Sequence, residues 1–112
     1  MTKVSILFDM IRWEEKALYE AGKKLGLDVE MVDVKEKAFN LSKDCETEFG
    51  DIALQRSVSY YRNLHTTAYL EYKGVKVINS LHTAIVTGNK MFTTLVLQKN
   101  NIPTPKTIVT FT

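Results

Sequence analysis

Short apolar runs alternate with longer amphipathic segments along this chain. Four runs have the length and composition of strands, namely 3–9 (KVSILFD), 28–34 (DVEMVDV), 51–57 (DIALQRS) and 75–79 (VKVIN). The first is apolar almost throughout, which is typical of a strand covered on both faces. The second alternates valine and methionine with acidic residues, which predicts a strand that is more exposed on one side.

The segments between these runs follow a helical period. In 12–26 one predicted face carries Trp13, Ala17, Leu18, Ala21 and Leu25, and in 59–74 another carries Tyr61, Leu64, Ala68 and Tyr72. Gly26 and Gly74 supply the helix stops. A brief helix is expected at 81–86 and an amphipathic one at 89–100, whereas polar 35–50 predicts a loop with at most a short helix around 39–41.

This order of elements predicts the fold class. Strands separated by helix-length segments favour an α/β, Rossmann-like, doubly wound parallel sheet of about four strands in the order 2-1-3-4, with helices on both faces. An antiparallel α+β sandwich is disfavoured, because helix-length segments separate three of the strands from their successors.

Composition excludes several classes of function. The 15 basic and 13 acidic residues are interspersed, the net charge is +2, and no basic stripe points to nucleic acid. Cys45 is the single cysteine, so an internal disulfide and a CxxC metal site are both excluded. His65 and His82 have no partner at ligand spacing, so no metal site is expected. No apolar run approaches the roughly 20 residues that span a bilayer, and no signal peptide is recognised, so a cytoplasmic protein is expected.

Candidate ligand contacts lie where the predicted strands end, because parallel α/β sheets bind ligands at that edge. The sequence there contains neither GxGxxG nor GxxxxGK[ST], so a dinucleotide or P-loop site is not expected. Arg56 follows a buried strand and could hold a carboxylate or phosphate in a bidentate manner, or could simply pair with a helix carboxylate. Asn79 could contact a substrate or serve as a turn residue. Both alternatives stay open for each residue.

Lys90 stands at the start of the last predicted helix, where a cation opposes the helix dipole. Free N–H groups at a helix start bind phosphates, so Gly88-Asn89-Lys90 could form an anion cradle to which Lys90 adds charge. The alternative is an ordinary surface lysine, which costs only about 0.3–1 kcal/mol at this position.

The stretches FDMIRWEEK, LQRSVSYYRN, VINS and TGNKMFTTLVLQKNNIPTPKT resemble the N-terminal portion of the ATP-grasp ligases. The resemblance is to the LysX type, the α-aminoadipate–LysW ligases, within a group that includes the ribosomal protein S6 glutamate ligase. It runs along nearly the whole chain, and the last stretch is the most specific. The family places a lysine that contacts ATP phosphates at this helix start, which implies that Lys90 binds nucleotide. Asn89 stands where the family more often has Asp.

The resemblance implies ATP- and magnesium-dependent amide formation through an acyl phosphate. In the LysX type, the carboxylate belongs to the C-terminal glutamate of a small acidic carrier protein and the amine to α-aminoadipate or glutamate, in lysine or arginine biosynthesis. The family's magnesium-binding acids and adenine pocket lie beyond residue 112, so no catalytic residue is assigned here. The 112-residue chain alone is expected to be inactive and to bind ATP weakly or not at all.

The implied domain organisation is a pre-ATP-grasp domain at 1–87, followed at 88–112 by a linker helix and the first strand (TIVTFT) of an ATP-grasp domain. Exposed Phe92 and Phe111 favour self-association, so a homo-oligomer is expected. The alternative function is a non-catalytic α/β binding or regulatory module that retains only the fold. A response-regulator receiver is disfavoured, because Asp9 is followed by MIRW and not by a second acid.

Overall fold

Four parallel strands form one sheet in the computed structural model, which describes residues 2–42 and 49–111. They are β1 (Lys3–Phe8), β2 (Asp28–Asp33), β3 (Ile52–Gln55) and β4 (Lys76–Ile78). Their order is β2-β1-β3-β4, so the predicted fold class and strand order are confirmed. Every strand boundary lies within two residues of the predicted one.

The register aligns the carboxyl ends of the three strands β2, β1 and β3. Phe8 at the end of β1 lies opposite Asp33 at the end of β2, and Leu7 lies opposite Gln55 at the end of β3. The segments that follow these strands therefore emerge at one edge of the sheet. We call it the carboxyl edge.

The helices are α1 (Trp13–Lys24), α2 (Tyr60–Tyr72), α3 (Leu81–Thr87) and α4 (Lys90–Lys99), and a 3₁₀ turn covers Val34–Glu36. Helix α1 connects β1 to β2, which lies at one end of the sheet. Helix α2 connects β3 to β4, which lies at the opposite end. Right-handed crossovers in these two directions put α1 and α2 on opposite faces. The direction in which the chain crosses the sheet therefore reverses between β1 and β3. Gly26 and Gly74, with φ of 76° and 85°, follow α1 and α2 as the predicted stops.

The main core cluster lies between the sheet and α2. It contains the buried residues Leu7, Val32, Val34, Ala53, Leu70, Val75 and Val77. Phe39 packs against this cluster and meets Tyr69 of α2 edge-on, with ring centroids 5.0 Å apart. On β1, five of the six residues are buried, as its apolar sequence predicts.

The predicted inward face of α1 is only partly correct, since Ala17 and Leu18 are half-buried. Trp13 and Leu25 are 77% and 76% exposed, whereas Glu15 and Gly22 are buried. Gly22 lies so close to the side chain of Val29 on β2 that a Cβ atom would collide with it. The helix therefore approaches the sheet along its smallest residue, and this turns the apolar Trp13 and Leu25 outward.

The predicted inward face of α2 is also only partly correct, since Leu64 and Ala68 are half-buried. Tyr61 and Tyr72 are 71% and 62% exposed, while Thr66, Thr67 and Leu70 are buried. The amide of Gln55, at the end of β3, donates to the hydroxyl oxygens of Thr66 and Thr67 at 2.8 and 3.0 Å. These hydrogen bonds satisfy the threonines in the interior, so a polar pair takes positions that periodicity assigns to apolar side chains.

The loop after β2 forms its only described helical turn at Val34–Glu36 and not around 39–41. The Asp33 carboxylate accepts from the Lys35 amide and caps that turn. Predictions for 43–48, including those about Cys45, lie outside the described residues.

Helix α4 contains no buried residue, and described residues 102–111 belong to no helix or strand. The domain boundary at 87/88 and a strand at 107–112 stay predictions, since recognising that strand would require a partner strand. None of the helices in the described ranges has the length and apolar character needed to cross a membrane.

Candidate functional site

Asp9 follows β1 and ties the carboxyl edge together. Its carboxylate accepts from the amides of Val58 and Ser59 at 2.9 and 3.0 Å, and lies 3.5 Å from the guanidinium of Arg62. Burial alone would raise the pKa of Asp9, but these hydrogen bonds and the charge of Arg62 hold the pKa below its ordinary value. Asp9 is thus an ionised anchor for the loop that leads into α2.

Glu15, in the first turn of α1, is fully buried and binds two arginines. Its Oε1 atom accepts from Nε of Arg12 at 2.8 Å, and Oε2 accepts from Nη2 of Arg56 at 3.4 Å. Arg12 also donates from Nη2 to the backbone carbonyl of Arg56 at 3.4 Å. One buried carboxylate therefore joins the loop after β1 to the loop after β3.

Arg12, Glu15 and Arg56 form a triad in which opposite charges stabilise one another. Burial would raise the pKa of Glu15, but the hydrogen bond and charge of Arg12 and the charge of Arg56 lower it below its ordinary value. The hydrogen bond to Glu15 raises the pKa of Arg12. Glu15 and Arg12 are therefore both charged at neutral pH.

A cleft of about 270 Å³ opens near the ends of β3 and β4. Its lining includes Gln55, Asn63, Asn79 and Gly88. The amide nitrogen of Asn63 donates to the Ser57 carbonyl, whereas its Oδ1 atom is buried and accepts no hydrogen bond within the described residues. Three amide side chains, those of Gln55, Asn63 and Asn79, thus line the cleft.

The loop before α4 forms part of this cleft at Gly88. Asn89 is the N-cap of α4, and its side chain accepts from the Phe92 amide at 3.1 Å. Among the described residues, no hydrogen bond is seen for the amides of Lys90 and Met91, and no ion pair is seen for the Lys90 ammonium, which is exposed. A helix start with unpaired N–H groups carries a partial positive charge.

The predicted site residues share one edge but do not converge. Asn79 lines the cleft, and Lys90 follows closely after Gly88, which also lines it. Arg56 contacts Glu15 on α1, on the opposite face of the sheet from α2. The open question about Arg56 is answered in part, because it does pair with a helix carboxylate. The predicted roles of Arg56 and Asn79 in substrate binding and of Lys90 in nucleotide binding stay predictions.

Two members of the triad, Arg12 and Glu15, were missed at the sequence level. A signal existed, because Glu15, Leu18, Tyr19 and Gly22 recur at i, i+3, i+4 and i+7 and so share one helix face. An acid on that face is read as solvated unless two arginines from other segments are known to approach it. The second arginine lies 41 positions away.

No group of three or more potential metal-ligating side chains (His, Cys, Asp, Glu) occurs in 2–42 and 49–111. His65 stacks on Tyr61, with ring centroids 4.0 Å apart, and Nδ1 lies 2.9 Å from the Tyr61 carbonyl. Its ring is thus engaged locally on α2.

Residues 4–86 match the family model of the LysX preATP-grasp domain. The chain is 43% identical over 107 residues to the α-aminoadipate–LysW ligase LysX of Saccharolobus solfataricus, an alignment that covers 91% of this chain and 37% of the ligase. It is 33% identical to the glutamate–LysW ligase ArgX of Sulfolobus acidocaldarius, with 96% of this chain and 37% of that ligase covered.

A solved structure shares the fold. The crystal structure of a RimK domain ATP-grasp protein from Sphaerobacter thermophilus superposes with a TM-score of 0.76 at 27% identity, over 93% of this chain and 40% of that chain. The chain thus spans well under half the length of the relatives it matches.

Proposed function

Because the chain belongs to the LysX preATP-grasp domain family, we propose that it serves as the N-terminal domain of an ATP-dependent carboxylate–amine ligase. The parent enzyme would join α-aminoadipate or glutamate to the C-terminal glutamate of a LysW-like carrier protein through an acyl phosphate, in lysine or arginine biosynthesis. The observation that carries this proposal is the 43% identity to a LysX ligase over 91% of the chain.

In this proposal Lys90 binds the phosphates of the nucleotide. The exposed ammonium lies on the first turn of α4, beside the free amides of Lys90 and Met91, and these groups together suit an anion. A lysine here opposes the helix dipole by about 0.3–1 kcal/mol in the absence of an anion, so a bound phosphate would relieve that cost. ATP would supply the transferred phosphoryl group, with magnesium offsetting its charge.

Arg56 and Asn79 are the proposed substrate contacts. Arg56 keeps 35% of its side chain exposed while it pairs with Glu15, and Asn79 lines the same cleft as Gly88. The two lie on different sides of β3, so they would contact different parts of the reacting groups. The 112-residue chain alone is proposed to be inactive, with weak or no ATP binding, since most family phosphate contacts lie outside it.

A chimera tests the proposal. This chain would replace the matching segment of the S. solfataricus LysX ligase, and ligation of α-aminoadipate or glutamate to a LysW-like carrier would be followed by mass spectrometry. We expect ATP-dependent ligation. A chimera that is folded, as judged by its melting curve, but inactive would favour the alternative function, a non-catalytic α/β module.

Lys90 variants of the chimera refine the test. Lys90→Ala should raise the KM for ATP and lower kcat while leaving Tm almost unchanged, because removing a cation from a helix start is neutral or slightly stabilising. Lys90→Arg should retain part of the activity, since a planar fork does not reproduce a compact ammonium. Lys99→Ala, at the other end of α4, is the matched control and should not alter ATP kinetics. Unchanged kinetics in Lys90→Ala would return Lys90 to the ordinary surface.

A further inference from the structure

The loops after β1 and β3 diverge at the carboxyl edge. The β1 connection crosses one face of the sheet to reach β2, and the β3 connection crosses the opposite face to reach β4. Such a change of direction leaves a crevice between two neighbouring strands, and open α/β sheets bind ligands there. Arg12 follows β1 and Arg56 follows β3, so the two arginines come from the two segments that flank this position.

Glu15 fixes the two guanidinium groups next to each other. They contact opposite oxygens of the same carboxylate, at 2.8 and 3.4 Å, and Arg12 also bonds the backbone of Arg56. The carboxylate is fully buried, whereas the side chains of Arg12 and Arg56 remain 36% and 35% exposed. A buried anchor thus holds two cations whose outer parts reach solvent.

Both guanidiniums keep unused donors. Arginine has five N–H groups, and Arg56 gives a side-chain hydrogen bond only from Nη2 within the described residues. Its Nε atom is buried and has no partner there. Arg12 uses Nε and Nη2, and its Nη1 donates to none of the described groups. Two partly exposed guanidiniums that share one buried carboxylate and keep side-chain donors without partners are suited to bind an anion.

We propose that Arg12 and Arg56, positioned by Glu15, form a binding site for a carboxylate. The two arginines and Glu15 leave one net positive charge, because Asp9 and Arg62 neutralise each other nearby. A single carboxylate neutralises this charge, and two planar guanidiniums offer the paired N–H groups that its two oxygens accept.

The loops after β1 and β3 lack the free backbone amides that favour phosphate over carboxylate. Many phosphate sites combine cations with such amides, often in glycine-containing loops. The loops 9–12 and 56–59 contain no glycine, and the amides of Val58 and Ser59 already donate to Asp9. The carboxylate site is therefore distinct from the start of α4, where the amides are free.

The assignment of a carboxylate follows from the geometry, whereas its identity as a ligase substrate rests on the proposed function. Two sources share this chemistry, a free amino acid and the C-terminal carboxylate of a carrier protein. The test therefore measures binding to the chain directly and uses both sources as probes.

Titration of the ¹⁵N-labelled 112-residue chain, followed through its arginine Nε–H resonances, tests the site. The probes are glutamate, a short peptide ending in glutamate, and inorganic phosphate, all at equal ionic strength. We expect glutamate or the peptide to shift the Arg12 and Arg56 resonances, and the tighter of the two identifies the source. Phosphate binding equal to or tighter than both, or no shift from either carboxylate in the millimolar range, would overturn the proposal.

Variants separate recognition from charge. Arg56→Gln should weaken carboxylate binding about tenfold or more, because it removes charge-assisted hydrogen bonds. Arg62→Gln removes the same charge from a neighbouring arginine that pairs with Asp9, and should leave binding within about twofold, since exposed charges are screened. Equal losses in both variants would reduce the site to a general electrostatic effect.

Glu15→Gln tests the positioning role. If Glu15 only offset positive charge, its neutralisation would tighten carboxylate binding. The proposal predicts weaker binding, because the arginines lose the anchor that holds them side by side. Tighter binding with a retained fold would contradict the positioning role.

If Glu15→Gln fails to fold, Arg12→Lys serves as the second variant, because it keeps the charge and removes the planar fork. Unchanged carboxylate binding in Arg12→Lys would overturn the two-arginine site. If the 112-residue chain binds carboxylate but the chimera does not ligate, the proposed function is overturned and the carboxylate site is not.

Discussion

The sheet with its two crossover helices and the segment formed by α4 and residues 100–111 are held together in different ways. Ile6, Leu7, Ala53 and Leu70 are fully buried in the first region. In the second, α4 has no buried residue, and Phe92, Leu95 and Val96 on it are 43%, 52% and 43% exposed. The second region therefore buries its apolar side chains much less than the first.

The difference shows which region specifies its own structure. The parallel sheet pairs every strand with a neighbour and is covered by α1 and α2, so burial of apolar area stabilises it. Helix α4 is instead defined locally by the Asn89 cap, and Gln98 donates to the Thr104 hydroxyl at 3.2 Å to hold the following segment. Its exposed apolar side chains are suited to contact with another surface.

The largest expected effect contrasts two leucines. Leu70→Ala, in α2, should lower the free energy of unfolding by about 3 kcal/mol, because it removes a fully buried side chain and leaves a cavity. Leu95→Ala, in α4, should cost about 0.5 kcal/mol or less, because Leu95 is 52% exposed. Urea denaturation measures both. Similar losses in the two variants would remove the contrast between the regions.

The next effect concerns Glu15 and acid. Removing its charge leaves Arg12 and Arg56 without their shared acceptor, so Glu15→Gln should cost about 1–3 kcal/mol at pH 7. Glu14→Gln, in the same turn but exposed, is the matched control and should change stability by about 0.5 kcal/mol or less. A smaller loss in Glu15→Gln than in Glu14→Gln would contradict the triad's role.

The pH dependence follows from the pKa values of Asp9 and Glu15, which folding lowers from ordinary values of 3.8 and 4.5. A group with a lowered folded-state pKa stabilises the protein fully above its unfolded pKa and loses that contribution as pH falls through the folded pKa. Stability should therefore be constant towards neutral pH and fall below about pH 4.5, with a shallower fall in Glu15→Gln. Urea midpoints measured from pH 7 to pH 3 check this, and a rise in stability on acidification would refute it.

The smallest effect concerns association. Phe92 and Phe111 are 43% and 90% exposed, so the chain should self-associate weakly through the second region. The double substitution Phe92→Ser and Phe111→Ser should shift sedimentation velocity profiles towards monomer. Tyr72→Ser, which removes a 62% exposed aromatic residue from α2, should not. Equal shifts in both proteins would place the contact elsewhere.

The order of elements could be predicted from the sequence because strand identity depends on local pattern. Apolar β1, the glycine stops at 26 and 74, and Asn89 before α4 are all short-range signals. The helix faces could not be predicted, because they depend on distant partners. Periodicity predicted that Trp13 and Tyr61 face inward. The orientation of α1 is instead set by the close approach of Gly22 to Val29, and that of α2 by the hydrogen bonds from Gln55 to Thr66 and Thr67.

The candidate site shows the same contrast between features set by local sequence and features set by distant partners. Arg56 and Asn79 were recognisable as strand-end residues, since parallel strands end at one edge. That Arg56 turns towards α1 while Asn79 lines the cleft depends on Glu15, which lies 41 residues before Arg56 and whose burial no local pattern reveals.

The central claim is that the two regions bind different reactants, carboxylate at the Arg12–Arg56 crevice and nucleotide phosphates at the start of α4. The most direct measurement is the KM for the amino acid and the KM for ATP in Arg56→Gln and Lys90→Ala of the chimeric ligase. We predict that Arg56→Gln raises mainly the KM for the amino acid, or that for the carrier protein if the carrier supplies the carboxylate. Lys90→Ala should raise mainly the KM for ATP. Variants that raise the same KM, or neither, would contradict the account.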